Sequence, residues 1–293
     1  MSSDSAPLVV MAGMHRSGTS LLANALGRLG LHLGHPDALM GAAPSNVHGH
    51  GELYAVARLN DAILAACGAH WAAPLAIESA RFDELAAGEL GDRARSLLGA
   101  ELTGVQLIKD PRFCLTLPFW RTVFAGRPLV LLTPWRHPQA VGRSLASRND
   151  FPSAYGERLW TIYHHRLAVA ATGLPRLIVA HRSVVDESVP TLTAVVRWLA
   201  EHGITADPPD TTTIALDPDS VHHQGDRDLT DSEQALLADL AADRPRSPVD
   251  DPIDDPIDDA VADVFFGAVA AFANQRDHYR FKLNELRARQ QSD

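Results

Sequence analysis

The chain has 293 residues, 46% hydrophobic and 21% charged, which is enough to bury a full core in one domain or in one domain with an appendage. Its formal net charge of -10 excludes a bulk electrostatic grip on nucleic acid or on an anionic membrane and leaves only a local basic pocket. The two cysteines, Cys67 and Cys114, match no metal spacing and no disulfide framework, and no stretch reaches transmembrane length.

The first element is an apolar run, Leu8, Val9, Val10 and Met11, which predicts a strand buried on both faces of a parallel sheet. It has no basic flank and runs straight into His15 and Arg16, so it does not read as a signal peptide, and a cytoplasmic location is expected. Gly13 and Gly18 bracket a turn. Thr19 and Ser20 then open a helix with Leu21, Leu22, Ala25, Leu26 and Leu29 on its apolar side, and Gly30 ends it. A strand, glycine loop and helix in this order aim backbone N–H groups at one point, an anion site. The glycines have the Walker spacing, but Thr19 stands where a nucleoside-triphosphate loop carries its lysine, which argues against ATP hydrolysis. A cation sits inside the loop instead, Arg16.

Residues 31–51 are loop, rich in Gly, His and Pro. His32, His35, His48 and His50 include no pair at i,i+4 and no cysteine joins them, so no metal is expected. From Glu52 the pattern turns helical (Leu53, Val56, Ala57, Leu59, Ile63, Leu64), which places the Glu52 carboxylate near a helix N-terminus. Residues 66–104 predict a loop around Trp71 and Pro74, then a helix over about 78–100, broken at Gly88 and Gly91, serving as a connector or an acceptor-side lid. A second strand, 105–108, runs into Lys109, Asp110, Pro111 and Arg112. Ligands in open α/β sheets sit at such strand ends. Only Lys109 and Lys282 are lysines among 26 Lys plus Arg, so an interior lysine points to a place where a planar guanidinium does not fit.

A third strand, 129–133, ends in Pro134, Trp135, Arg136, His137 and Pro138, and a helix over 139–148 follows. Ser144 and Arg148 are i,i+4 on it, and with Arg136 they can converge on one phosphate. A helix over 159–171, a strand over 177–180 and a helix over 190–202 complete an alternation that predicts a single α/β domain with a P-loop-like parallel sheet flanked by helices. Residues 1–204 form this core. Residues 205–293 complete or flank it: a Pro- and Asp-rich stretch, a short helix over 230–242, a repeated DDPI unit that reads as extended, and a C-terminal helix over about 260–289. That helix has an apolar stripe through Val261, Phe265, Phe272, Tyr279 and Leu283, which packs back on the domain or pairs two copies as a homodimer.

Three separated motifs, GMHRSGTSLL (13–22), IKDPR (108–112) and WRHPQAVGRSLASR (135–148), together resemble the sulfotransferases that use 3′-phosphoadenosine 5′-phosphosulfate (PAPS). The likeness is to the bacterial sulfotransferase family proteins and, more distantly, the tyrosylprotein sulfotransferases, over about residues 8–200. After the fourth strand His181 and Arg182 stand where that family has an aromatic–acidic pair. The resemblance implies that Gly13, His15, Arg16, Ser17, Gly18, Thr19 and Ser20 hold the 5′-phosphosulfate. It implies that Arg136 and Ser144 bind the 3′-phosphate and that Arg148 is a further PAPS ligand. Arg16 and Lys109 would stabilise the transferring sulfuryl group, with no metal. For the base it offers Glu52 first, Asp110 second and His48 or His50 third. The expected reaction moves a sulfuryl group to a hydroxyl of a small-molecule or glycan acceptor: a carbohydrate, glycolipid or secondary metabolite. The alternatives are a P-loop nucleotide-dependent kinase, and a non-catalytic phosphonucleotide-binding scaffold.

Overall fold

The computed structural model describes residues 6–41, 49–74, 77–149, 152–212 and 225–242. His48, the DDPI repeat and the C-terminal helix expected over 260–289 lie outside the described residues.

Four strands form one all-parallel sheet in the order β2-β1-β3-β4. They are β1 (Leu8–Met11), β2 (Leu107–Lys109), β3 (Leu129–Trp135) and β4 (Arg176–Ala180). Each residue of β1 is buried, as a strand covered on both faces requires. Its alternate residues serve different layers: Leu8 and Val10 face one apolar cluster, Val9 and Met11 the other. The first layer contains α2 (Tyr54–Ala66), α3 (Ser79–Ala87), α4 (Glu89–Ala100), α5 (Phe113–Val123) and α7 (Ser153–Ala170). The second contains α1 (Thr19–Arg28) and α9 (Ser188–Glu201). The remaining helices are α6 (Pro138–Asn149), α8 (His181–Asp186) and α10 (Asp231–Ala241), and α10 packs on α7 and β4. Its Thr230 cap and Glu233 form a reciprocal capping box.

The sheet is the expected one, with strand ends shifted by one or two residues. The expected helix over 78–100 is two helices: the break falls at Gly88, while Gly91 lies inside α4, packed on the Ala86 carbonyl where no Cβ fits. Helix α5 carries no stripe in the sequence, because it is buried nearly all round, and Pro118 inside it reads as a breaker. Helix α6 begins at Pro138, whose missing N–H is harmless at the first helical position. It lies close against α7 because Gly142 and Gly156 face each other where side chains would clash.

The topology fixes where a ligand can go. The chain leaves β1 for β2 on one side and reaches β3 on the other, so the crevice opens at the carboxyl end of β1. Met11 is in register with Lys109 on β2 and with Leu132 on β3, so the loops after all three strands meet there.

Candidate active site

The loop after β1 is shaped by backbone conformation. Arg16 is the sole non-glycine residue with positive φ among the described residues, at 70°, and Gly18 follows at 89°. Gly13 is required because a Cβ there would strike the Pro134 carbonyl of β3. Gly18 carries no side chain to cap α1, and no side-chain cap bond is made, so the helix presents its first-turn N–H groups to the loop. The Ser17 hydroxyl is enclosed in the same loop with no hydrogen-bond partner. These donors suit a bound anion. Gly18→Ala is expected to destabilise the fold by about 1–3 kcal/mol, from strained φ and a Cβ placed 2.5 Å from His181 Cδ2. Urea unfolding of the variant measures this directly.

Cations gather around the loop. Arg16 Nε donates to Ser144 Oγ at 2.8 Å, and an Arg136 amino group reaches the Arg16 carbonyl at 3.4 Å. The indole of Trp160 donates to the Arg136 carbonyl at 2.9 Å and fixes the backbone that presents it. Burial lowers Arg16. Burial and then the Arg16 charge bring Arg136 and Arg148 each down to about 10. His181 at the start of α8 is lowered to about 4 by burial and then by Arg136. Cations held near one another and away from water favour a bound anion. Of the three groups expected to converge on one phosphate, Arg136 and Ser144 meet through Arg16. The Arg148 guanidinium instead lies over the Trp71 ring, 5.6 Å from its centroid.

On the other flank of the loop sits a buried charge network. Lys109 Nζ donates to Glu52 Oε1 at 2.6 Å, to the His50 carbonyl at 2.9 Å and to Ser20 Oγ at 3.1 Å. Glu52 lies just before α2 and Lys109 ends β2, so the pair ties the α2 entrance to the sheet at the glycine loop. Burial pushes the Glu52 carboxyl up, but Lys109 and Arg112 outweigh it and hold it below its ordinary value. Asp110 is fully buried. Its Oδ1 accepts the Arg112 backbone N–H at 2.7 Å, and both oxygens accept from the Arg112 guanidinium at 3.1 Å. Arg112 also meets Asp61 at 2.6 Å and stands 4.0 Å from Glu52. Burial opposes its charge, but Asp110, Asp61 and Glu52 together hold it more firmly protonated than usual.

Thus the structure brings the loop residues 13–20, Lys109, Glu52, Asp110, Arg136, Ser144 and Arg148 to one end of the sheet. Arg112, Trp71 and Tyr163 join them there. Arg112 belongs to a motif visible in the sequence. Trp71 and Tyr163 carry no such signal, since a loop tryptophan and a tyrosine inside a helix are ordinary in a core.

No family model matches the chain, and no curated protein matches it. Among solved structures, it is similar to the sulfotransferase domain from the curacin biosynthetic pathway, with a TM-score of 0.43 and 14% identity, covering 80% of this chain and 98% of that one. It is also similar to the sulfotransferase domain from the Synechococcus PCC 7002 olefin synthase, with a TM-score of 0.40 and 16% identity, covering 91% and 95% of the two chains.

Proposed function

We propose that the protein is a sulfotransferase that takes its sulfuryl group from PAPS and passes it to a hydroxyl of a small-molecule or glycan acceptor. One observation carries the reading: the strand-end loop has no triphosphate lysine, yet Arg16, Arg136 and Ser144 form a second anion receptor beside it. Two anion sites side by side suit a nucleotide phosphorylated at both the 5′ and 3′ positions. The enclosed Ser17 hydroxyl and the uncapped N-terminus of α1 fit the 5′ group, and Arg136 with Ser144 fits the 3′-phosphate. The donor supplies an activated sulfuryl group on a phosphate leaving group.

The residues supply position and charge. Arg16 reaches Ser144 with its side chain and receives Arg136 at its carbonyl, so it stands between the two receptors and can follow charge as it moves to the leaving phosphate. Lys109 is fixed by three acceptors at the loop and adds a compact charge on the acceptor side. Glu52 is ion-paired to Lys109, and Asp110 to Arg112, so each carboxylate first serves to orient a cation. Isothermal titration with 3′-phosphoadenosine 5′-phosphate (PAP) beside Mg-ATP tests the reading. Micromolar binding of PAP with at least tenfold weaker Mg-ATP is expected. Preference for Mg-ATP would favour a kinase, and no binding of either would remove the proposal. PAP binding without transfer of ³⁵S from labelled PAPS to any acceptor would leave a scaffold.

A further inference from the structure

We propose that the acidic DDPI repeat, residues 250–259, docks in a cavity at the amino end of the sheet, away from the candidate active site.

The cavity measures about 450 Å³. The residues just before β1, β3 and β4 meet there, so it lies at the sheet end opposite the crevice. Arg121, Arg127 and His202 line it and no carboxylate does, although the chain as a whole is acidic. Phe124, Leu129 and Leu174 give it apolar surface. The polar groups are held in place. Arg121 Nη1 donates to the Ala170 carbonyl at 2.7 Å and to the Thr172 carbonyl at 3.0 Å. Arg127 donates from Nε to the Ala6 carbonyl and from Nη2 to the Val105 carbonyl, each at 3.0 Å. His202 Nδ1 lies 2.8 Å from the Trp198 carbonyl. Arg121 is exposed, and bonds to neutral carbonyls orient its guanidinium without cancelling its charge. Such a cavity draws in an anion with an apolar side.

The chain itself supplies one. Residues 250–259 hold six aspartates and no cation, and Ile253 and Ile257 stand between the acid pairs. Helix α10 delivers this segment to the right end of the sheet. Helix α7 begins beside α6, where Gly156 meets Gly142, and leads into the amino end of β4. Helix α10 packs on α7 and follows it. Before α10, Arg227 pairs with Glu157 near the start of α7, at 3.1 Å. After α10, the Ala242 carbonyl accepts from the guanidinium of Arg176, the first residue of β4. The chain therefore leaves α10 at the amino end, and Pro175, next to Arg176, lines the cavity. The eight residues 243–250 span at most about 28 Å, several times the length of the Arg176 side chain that separates Ala242 from β4. The first acid pair is thus within reach of Arg121. The cations of the candidate active site lie at the far end of the sheet.

Labelling of arginines with phenylglyoxal, mapped by peptide mass spectrometry on the full chain, tests the proposal. It compares wild type with a variant carrying Asp250→Asn, Asp251→Asn, Asp254→Asn and Asp255→Asn. Arg121 should label about threefold faster or more in the variant, the size expected when a few exposed ion pairs are lost. Arg93 and Arg182, exposed on α4 and α8, should label equally in both. Wild type in about 1 M NaCl should approach the variant, because salt screens an exposed contact. From the other side of the contact, Arg121→Gln should speed cleavage within residues 250–259 by the protease Asp-N by a similar factor. Equal labelling of Arg121 in wild type and variant overturns the proposal, as does unchanged cleavage in Arg121→Gln. Protection that fades on dilution would put the repeat of a second copy in the cavity and also overturns it. If the four substitutions tighten PAP binding and leave Arg121 labelling unchanged, the repeat lies at the candidate active site instead and the proposal falls.

Discussion

Lys109→Ala is expected to destabilise the fold by about 3–5 kcal/mol and to abolish sulfuryl transfer. The lysine side chain is 1% exposed and Glu52 is 8% exposed, with 2.6 Å between Nζ and Oε1. All three ammonium donors are used, on Glu52, the His50 carbonyl and Ser20. Alanine would leave a buried carboxylate whose next cation is Arg112 at 4.0 Å. Removing one partner of such a pair is costly, whereas replacing both is not. The double variant Lys109→Met with Glu52→Gln should therefore recover most of the loss in urea unfolding, yet remain inactive. Lys109→Arg should not rescue, because a planar fork cannot satisfy three acceptors arranged around one nitrogen. Acidity gives a further check. Glu52 is held below its ordinary value, so its contribution is present above an unfolded value of about 4.3 and disappears as pH falls through the lower folded value. Glu52→Gln should flatten the stability profile in that acid window. If Lys109→Ala and the double variant prove equally stable, the buried pair does not hold this end of the sheet.

Much of this site is legible in the sequence because its parts are local. Gly13 and Gly18 announce the loop by spacing alone, and Lys109 announces a strand end because it interrupts a buried run in a chain nearly free of lysine. Pairings between parts are not legible. Glu52 and Lys109 are far apart in sequence, and their contact depends on how α2 enters the sheet, which no periodicity encodes. Ser144 and Arg148 share a face of α6, as their spacing predicts, yet Arg148 extends to Trp71 while Ser144 meets Arg16. Spacing fixes a face and leaves the reach of a long side chain open. Helix α5 was hidden for another reason. Its surroundings are apolar on nearly every side, so it shows no contrast between faces for a period to reveal.

Arg136→Ala should lower PAP affinity about 100-fold or more. A guanidinium on a phosphate makes charge-assisted bonds, each about 1.5–3 kcal/mol, which is roughly 10- to 150-fold in affinity. The Arg136 side chain makes a 3.4 Å contact with the Arg16 carbonyl, and its own backbone is held by Trp160 whatever the side chain. It also stands in the field of Arg16, which with burial brings it down to about 10, so alanine relieves repulsion as well as removing a bond. Thermal melts make the contrast visible. PAP at 100 times its Kd should stabilise wild type by about 2.7 kcal/mol and the variant by no more than about 0.4 kcal/mol at the same concentration. Arg136→Lys should fall between the two, keeping charge without the fork. Equal PAP affinity in wild type and Arg136→Ala would place the 3′-phosphate elsewhere, and would leave Arg136 as a cation that the fold tolerates without using.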